Sequence, residues 1–169
     1  MWGAVIFKEN EMSIGFLPKI AALSVAASLT AAAGAQAQEC PAEPAFVAER
    51  TADRDVSASA TRVDRGDWRA AAHFAREALE GGPARDEGAA NVNLCAALAN
   101  GGARGDVVEV CDAAVATSQD VWRAHTNRGA ARWLDGDRAG AASDFARAAE
   151  LAPGEAAVAH NQALAACSA

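Results

Sequence analysis

Runs of apolar, helix-forming residues alternate with short polar stretches between residues 118 and 153. This pattern predicts one helix over 121–134 and a second over 139–151. Between them, Asp135-Gly136-Asp137 combines a turn glycine with carboxylates that cap helices, and Pro153 ends the second helix. Because so short a turn joins antiparallel neighbours, the stretch predicts a helical hairpin.

The hairpin belongs to a repeated pattern. Asn93, Asn127 and Asn161 are separated by 34 residues each (127 − 93 and 161 − 127), and the same offset relates Cys111 to Phe145. An earlier copy lies in "RGDWRAAAHFAREALEGGP", residues 65–83. A period of this length is typical of stacked helical arrays. The sequence therefore predicts three hairpin units, over about 52–85, 88–121 and 122–155, and a capping helix over 156–167.

The unit 122–155 has small residues, a glycine near its midpoint, an aromatic residue and a closing proline: Gly129, Gly136, Ala141, Phe145, Ala148 and Pro153. With these residues at these places, the unit resembles the tetratricopeptide repeat, and the chain resembles an exported bacterial protein of that family. It covers about residues 50–167. It implies an all-α fold in which antiparallel hairpins stack as a short right-handed α-solenoid with a C-terminal capping helix. Gly129 and Ala141 lie about equally far from the turn, so we expect them to face each other.

By the same resemblance, the first helices of the units line a concave groove that binds a protein or peptide. The implied groove residues are Val92, Asn93, Ala96, Arg123, Thr126, Asn127, Ala130 and Trp133. Arg123 and Asn127 lie one turn apart and would pair with a carboxylate or a backbone amide, and Trp133 would stack on a ligand side chain. The alternative is that the recurring asparagines are structural residues of the repeat and that Trp133 packs on a neighbouring helix.

The amino end is typical of an export signal. Lys19 precedes an apolar stretch, and Ala35-Gln36-Ala37 matches a cleavage site. From residue 20 to 35 there are 16 residues (35 − 19), fewer than the roughly 20 that span a bilayer. We therefore predict a cleaved signal peptide over 1–37, with Met12 as an alternative start, and a flexible tail over 38–49. The mature protein would be periplasmic or secreted, without membrane insertion.

Composition narrows the class of partner. Hydrophobic residues make up 51% of the chain but aromatic residues only 5%, so alanine supplies much of the apolar content, and the helices must pack closely. The formal charge of −7 and the pI near 4.9 argue against nucleic acid as a partner, because such proteins carry a basic face.

Few residues are arranged for catalysis or metal binding. The three histidines are scattered, and the chain has no nucleophile elbow, zinc-binding helix or phosphate loop. We therefore expect no enzyme activity, no cofactor and no metal. Cys95 and Cys111 are either buried thiols or a disulfide. A strict alignment places them one turn apart along the axis, which slightly favours thiols, but an exported chain would oxidise a well-placed pair.

These features together predict a non-enzymatic scaffold or adaptor of the bacterial cell envelope that binds a protein or peptide in its concave groove. The alternative is a structural or assembly component that docks into an envelope complex through its convex face or its helix ends.

Overall fold

The structure, a computed structural model, describes residues 40–101 and 107–167. Within these ranges the fold is all-α, as expected, with no strand and seven α-helices: α1 (Arg54–Asp64), α2 (Trp68–Gly81), α3 (Glu87–Asn100), α4 (Val107–Thr117), α5 (Val121–Asp135), α6 (Arg138–Leu151) and α7 (Ala156–Ala166). A short 3₁₀ turn, Ala84–Asp86, joins α2 to α3. The chain divides after Ala37, and the described residues belong to the unit Gln38–Ala169. The predicted signal peptide lies outside the described residues.

The helices follow the predicted hairpins closely. α5 and α6 begin and end within a residue of the expected 121–134 and 139–151. In the turn between them Gly136 has φ +91°, a left-handed conformation that glycine adopts without steric cost. The Asp137 carboxylate accepts the Gly140 N–H at 2.9 Å and so caps α6. Asp67 caps α2 in the same way, through the Ala70 N–H.

The helix α3 lies at the centre of the described fold. All residues from 88 to 98 are buried, and the helix contacts α1, α2, α4 and α5. A helix that is buried on every side needs apolar residues all round, which explains the run of alanine, valine and leucine in its sequence. No helix in the described part of the chain is both long enough and apolar enough to cross a membrane.

The contact between α5 and α6 differs from the expected pairing of Gly129 with Ala141. A Cβ atom added to Gly129 would lie 2.7 Å from the Phe145 ring and 3.0 Å from the Asp144 Cβ, so Gly129 meets the Phe145 side of α6. Ala141 is buried in the cluster that also contains Ala130, Trp133 and Phe145. Counting residues from the turn fails here because it ignores that side chains on packed helices lean along the helix axis.

Candidate functional site: a groove that holds the amino-terminal segment

Residues 45–49, here called the docked segment, lie against the side of α3, α5 and α7 that carries Asn93, Asn127 and Asn161. We call this side the groove. The stretch 44–50 has no helix or turn, and alternate residues of the docked segment bond to the groove. Such alternation is the geometry of an extended chain. Residues 38–49 were expected to form a flexible tail, whereas the structure holds most of the tail against the helices.

Three asparagines hold the main chain of the docked segment. The Asn161 side chain accepts the Ala45 N–H at 2.7 Å and donates to the Ala45 carbonyl at 2.9 Å. Asn127 bonds in the same way to both groups of Val47, at 2.9 and 2.8 Å. Asn93 does so with Glu49, at 2.8 Å each. The 34-residue period thus produces an asparagine ladder that binds one dipeptide per repeat, through groups that every non-proline residue possesses.

The ladder asparagines also belong to the structure of the helices. All three are fully buried, and Asn127 donates a second hydrogen bond to the Val92 carbonyl of α3 at 3.0 Å. Asn93 similarly donates to the Val56 carbonyl of α1 at 3.3 Å. Asn93 and Asn127 therefore join neighbouring first helices, as the structural alternative predicts, and all three asparagines hold the docked segment of the same chain. That the groove binds a separate ligand stays a prediction.

The ladder ends at α1. The place one period before Asn93 is Ser59 (93 − 34), whose hydroxyl donates to the Ala71 carbonyl of α2 at 2.8 Å. Ser59 is fully buried. A serine side chain has one hydroxyl, and this one already bonds within its own hairpin, so α1 offers no pair of groups to an extended chain.

The side chains of the docked segment meet three different surroundings. Phe46 packs against two core clusters, one centred on α3 and one that contains Ala130 and Trp133. Ala48 packs against the first of these clusters alone. Val47 packs against neither of them. The groove therefore accommodates an aromatic side chain followed two residues later by a small one.

Glu49, the last residue of the docked segment, has polar surroundings. Its carboxylate accepts a hydrogen bond from the Ser118 hydroxyl at 3.1 Å, and the positive charge of Arg123 acts on it. Burial raises the pKa of the Glu49 carboxyl, and the Ser118 hydroxyl and the Arg123 charge offset this only in part. The same Ser118 hydroxyl accepts the Asp120 N–H at 3.1 Å, just before the start of α5.

The other end of the segment is fastened to α7. Cys40 forms a disulfide with Cys167, with Cα atoms 5.9 Å apart, and the His160 Nε2 lies 2.9 Å from the Glu43 carbonyl oxygen. The chain is thus held five residues before the docked segment by a covalent bond to Cys167, which directly follows α7, and after the segment by residues 50–53, which lead into α1.

The residues predicted to form the groove divide into three groups. Asn93 and Asn127 bond to the docked segment, and Arg123 acts on Glu49 through its charge. Three others belong to the clusters against which Phe46 packs: Ala96, Ala130 and Trp133. The remaining two do not meet the segment in the expected way: Val92 packs with Ala114 and Ala124, and the Thr126 hydroxyl bonds to the Trp122 carbonyl of its own helix.

Trp133 also departs from the expected ligand stacking. The Arg138 guanidinium lies 3.8 Å from the centre of its ring, and the Phe145 ring lies 6.5 Å away in a tilted arrangement. Its exposed fraction is only 7%. The alternative prediction, that Trp133 packs on a neighbouring helix, is the one that agrees with this geometry.

A second polar cluster surrounds the carboxylate of Asp144, between α5 and α6. Arg128 donates to it at 2.7 and 2.9 Å, Arg132 donates at 2.7 Å, and the His125 Nδ1 lies at 2.8 Å. Burial by itself raises the pKa of Asp144, but the hydrogen bonds from Arg128 and His125 and the charges of Arg128 and Arg132 hold it below its ordinary value. This cluster lies on the α6 side of α5 and has no bond to the docked segment.

Cys95 and Cys111 form a disulfide with Cα atoms 4.9 Å apart, so the slight preference for thiols is corrected. The reason is visible in the next repeat. Cys95 and Cys111 stand at the places of Gly129 and Phe145 (129 − 34 and 145 − 34), and those two residues are in direct contact. The two places therefore face each other in both hairpins, and the assumed displacement of one turn does not exist.

Comparison with known proteins adds no family: no family model, no curated protein and no solved structure matches this chain.

Proposed function

We propose that this protein is a non-enzymatic scaffold or adaptor of the bacterial cell envelope, which binds an extended peptide or protein segment in the groove of a tetratricopeptide-like array. The observation that carries the proposal is the asparagine ladder. Three equivalent side chains each bond to both main-chain groups of alternate residues in one extended segment. This resembles the way proteins bind peptides by pairing with their main chain, in which hydrogen bonds give affinity and side-chain contacts give specificity.

The proposal includes the right-handed stacking of the repeats, the periplasmic or secreted location and the absence of a cofactor. The 34-residue period supports the family, the "AQA" site near residue 37 supports export, and the two disulfides are typical of an oxidising compartment.

The test uses a protein in which Cys40→Ser and Cys167→Ser free the start of the docked segment. A fluorescent peptide with the sequence of residues 43–50, "EPAFVAER", is titrated with this protein, and its fluorescence polarisation is measured. We expect saturable binding. Asn161→Ala should weaken it about thirtyfold, since two hydrogen bonds at roughly 1 kcal/mol each are lost. Asn161 is the best asparagine of the ladder to replace, because among the described residues its side chain bonds only to Ala45.

The matched control is Asn100→Ala, which removes the same side chain from α3, two turns beyond Asn93, without removing a bond to the docked segment. Among the described residues, the Asn100 amide donates only to the Ala96 carbonyl of its own helix. Binding should stay unchanged in this variant. If the Cys40→Ser, Cys167→Ser protein shows no saturable binding although its helical circular dichroism spectrum is intact, the proposed function is contradicted.

A second candidate function is docking within an envelope complex through the helix ends. Val108 on α4 and Leu134 on α5 are about half exposed, although both are large and apolar. With Ala99, Val107 and Ala131 they line a cavity of about 290 Å³. If this surface docks, Leu134→Glu should abolish a complex of defined stoichiometry in membrane extracts, whereas Asn161→Ala should leave it intact.

A further inference from the structure

The docked segment occupies the site that an external peptide would need. It is tethered to the fold at both ends, through the disulfide to Cys167 and through residues 50–53 to α1. A single short flexible tether gives an effective concentration on the order of millimolar, and two tethers hold the segment in place more tightly. An external peptide therefore competes least well while both tethers are intact, and after release of one tether it still has to be supplied at a concentration on the order of millimolar.

The two disulfides differ in access to solvent. Cys40 and Cys167 are both exposed, whereas Cys95 and Cys111 are fully buried between α3 and α4. Thiol–disulfide exchange requires the attacking thiolate to reach a sulfur atom, so an external dithiol reduces the exposed bond first. The exposed bond is also the one that holds the start of the docked segment.

The contacts of the docked segment define what can replace it. A residue that replaces Phe46 would lie against two core clusters, and a residue that replaces Ala48 would lie against one. The place of Glu49 meets a donating hydroxyl from Ser118 and the positive charge of Arg123. A lysine there would not accept the Ser118 hydroxyl and would bring a like charge towards Arg123, which is itself paired with Asp120. A large residue in place of the partly buried Ala48 would press on the cluster centred on α3. A glutamine would keep the bond to Ser118.

We propose that the docked segment closes the groove, and that reduction of the Cys40–Cys167 disulfide allows an external extended segment to bind there instead. The external segment has four consecutive residues that match positions 46–49: an aromatic residue, any residue, a small residue, and Glu or Gln. This inference rests on the proposed function. In the opening step a dithiol breaks the sulfur–sulfur bond, each cysteine sulfur gains one hydrogen, and the dithiol is oxidised to its own disulfide.

The experiment measures binding of the labelled peptide "EPAFVAER" to the unmodified mature chain, with and without dithiothreitol. Mass mapping must show that Cys95–Cys111 stays bonded, and circular dichroism that the helices remain. We expect affinity to rise at least tenfold on reduction. The Cys40→Ser, Cys167→Ser protein should bind equally well in both conditions. Equal affinity of the unmodified chain in both conditions, or loss of its helices on reduction, overturns the gating.

Peptide variants test the pattern on the reduced protein. Changes equivalent to Phe46→Ala, Ala48→Phe and Glu49→Lys should each weaken binding about tenfold or more, and Glu49→Gln and Val47→Thr should bind within a factor of about three. If all these peptides bind alike while Asn161→Ala still weakens them, the inferred ligand pattern is wrong and the proposed function stands. If none binds the Cys40→Ser, Cys167→Ser protein, both are wrong.

Discussion

In hairpin α3–α4 the two helices are joined by the Cys95–Cys111 disulfide, whereas in hairpin α5–α6 the same places hold Gly129 against the Phe145 ring. The residues that directly precede Cys111 and Phe145 are also equivalent: Val110 in α4 corresponds to Asp144 in α6 (144 − 34). Of these two, only Asp144 is surrounded by two arginines and a histidine. A covalent bond in one hairpin is thus replaced by an aromatic ring and a charged cluster in the next.

The asparagine of the groove does not change between the two hairpins. Asn93 and Asn127 keep the same residue type, the same burial and the same pair of bonds to the docked segment. Contacts within a hairpin need only fill a volume or satisfy their own polar groups, which several residue types can do. A contact with a main-chain donor and acceptor needs a donor and an acceptor on one side chain, which asparagine supplies.

The largest expected effect comes from Phe145→Ala, which empties the centre of hairpin α5–α6. The Phe145 side chain is 1% exposed, so the variant should lose about 3–5 kcal/mol of unfolding free energy in urea titration. Phe74→Ala on α2 is the control, because Phe74 is only half-buried and should cost less. Equal losses for the two phenylalanines would mean that Phe145 does not fill the hairpin.

Hairpin α3–α4 should depend on its disulfide instead. The bond joins residues 16 apart, and removing a cross-link over a loop of that length costs about 3 kcal/mol. The variant with Cys95→Ala and Cys111→Ala should therefore unfold at lower urea concentration than the unmodified protein. Unchanged stability in non-reducing buffer would show that the packing of α3 and α4 needs no covalent bond.

Hairpin α5–α6 should contribute a loss of stability at acid pH, opposite in sign to the contribution of Glu49, whose pKa is raised. Because its pKa is lowered in the fold, the ionised Asp144 contributes stability above the ordinary carboxyl range, and this is lost as the pH falls through the lowered folded pKa. Asp144→Asn should cost about 2–3 kcal/mol at pH 7, since Arg128 and Arg132 lose a buried partner, and should flatten the acid limb of the stability curve. Urea titrations at several pH values measure both effects.

The control for the charged cluster is Asp112→Asn. Asp112 lies on α4, is half-exposed and pairs with Arg128 of α5. Loss of its charge should therefore cost less than about 1 kcal/mol of unfolding free energy at pH 7. If Asp112→Asn were as costly as Asp144→Asn, the stabilisation would come from general charge balance and not from the buried carboxylate.

Gly129→Ala should have the smallest effect of the four. The added Cβ lies 2.7 Å from the buried Phe145 ring, so the helices must shift, and we expect a loss of about 1–2 kcal/mol in spite of the better helix propensity of alanine. Gly81→Ala on α2 is the matched control, because a Cβ there meets nothing within 4 Å. That variant should be neutral or more stable in the same titration.

Much of the fold follows from the sequence because it depends on local signals. The turn Asp135-Gly136-Asp137 and the proline at 153 locate α5 and α6 to within a residue, and the 34-residue period identifies the equivalent places in neighbouring repeats. The same period could also have predicted the Cys95–Cys111 disulfide. Since Gly129 and Phe145 are equivalent to Cys95 and Cys111, correct knowledge of one contact would have paired the cysteines.

From the sequence, only the residues that the helices contribute to the groove were predicted, and the docked segment was not. Asn161 recurs with the same period as Asn93 and Asn127, and this signal could have extended the ladder into α7. The docked segment has five residues, too few for a periodic pattern to show, and its position depends on contacts with residues up to 116 positions away. The Cys40–Cys167 bond spans 127 residues, and four cysteines allow three pairings, so the sequence alone does not select it.

The most direct test of the account is the exchange of backbone amide hydrogens along the docked segment, measured by NMR on the oxidised protein. The ladder bonds the N–H groups of Ala45, Val47 and Glu49, whereas those of Phe46 and Ala48 have no partner among the described residues. We predict slow exchange at 45, 47 and 49 and fast exchange at 46 and 48, with protection of Ala45 lost in Asn161→Ala. Uniformly fast exchange from 45 to 49 would contradict the claim that the asparagine ladder holds this segment in the groove.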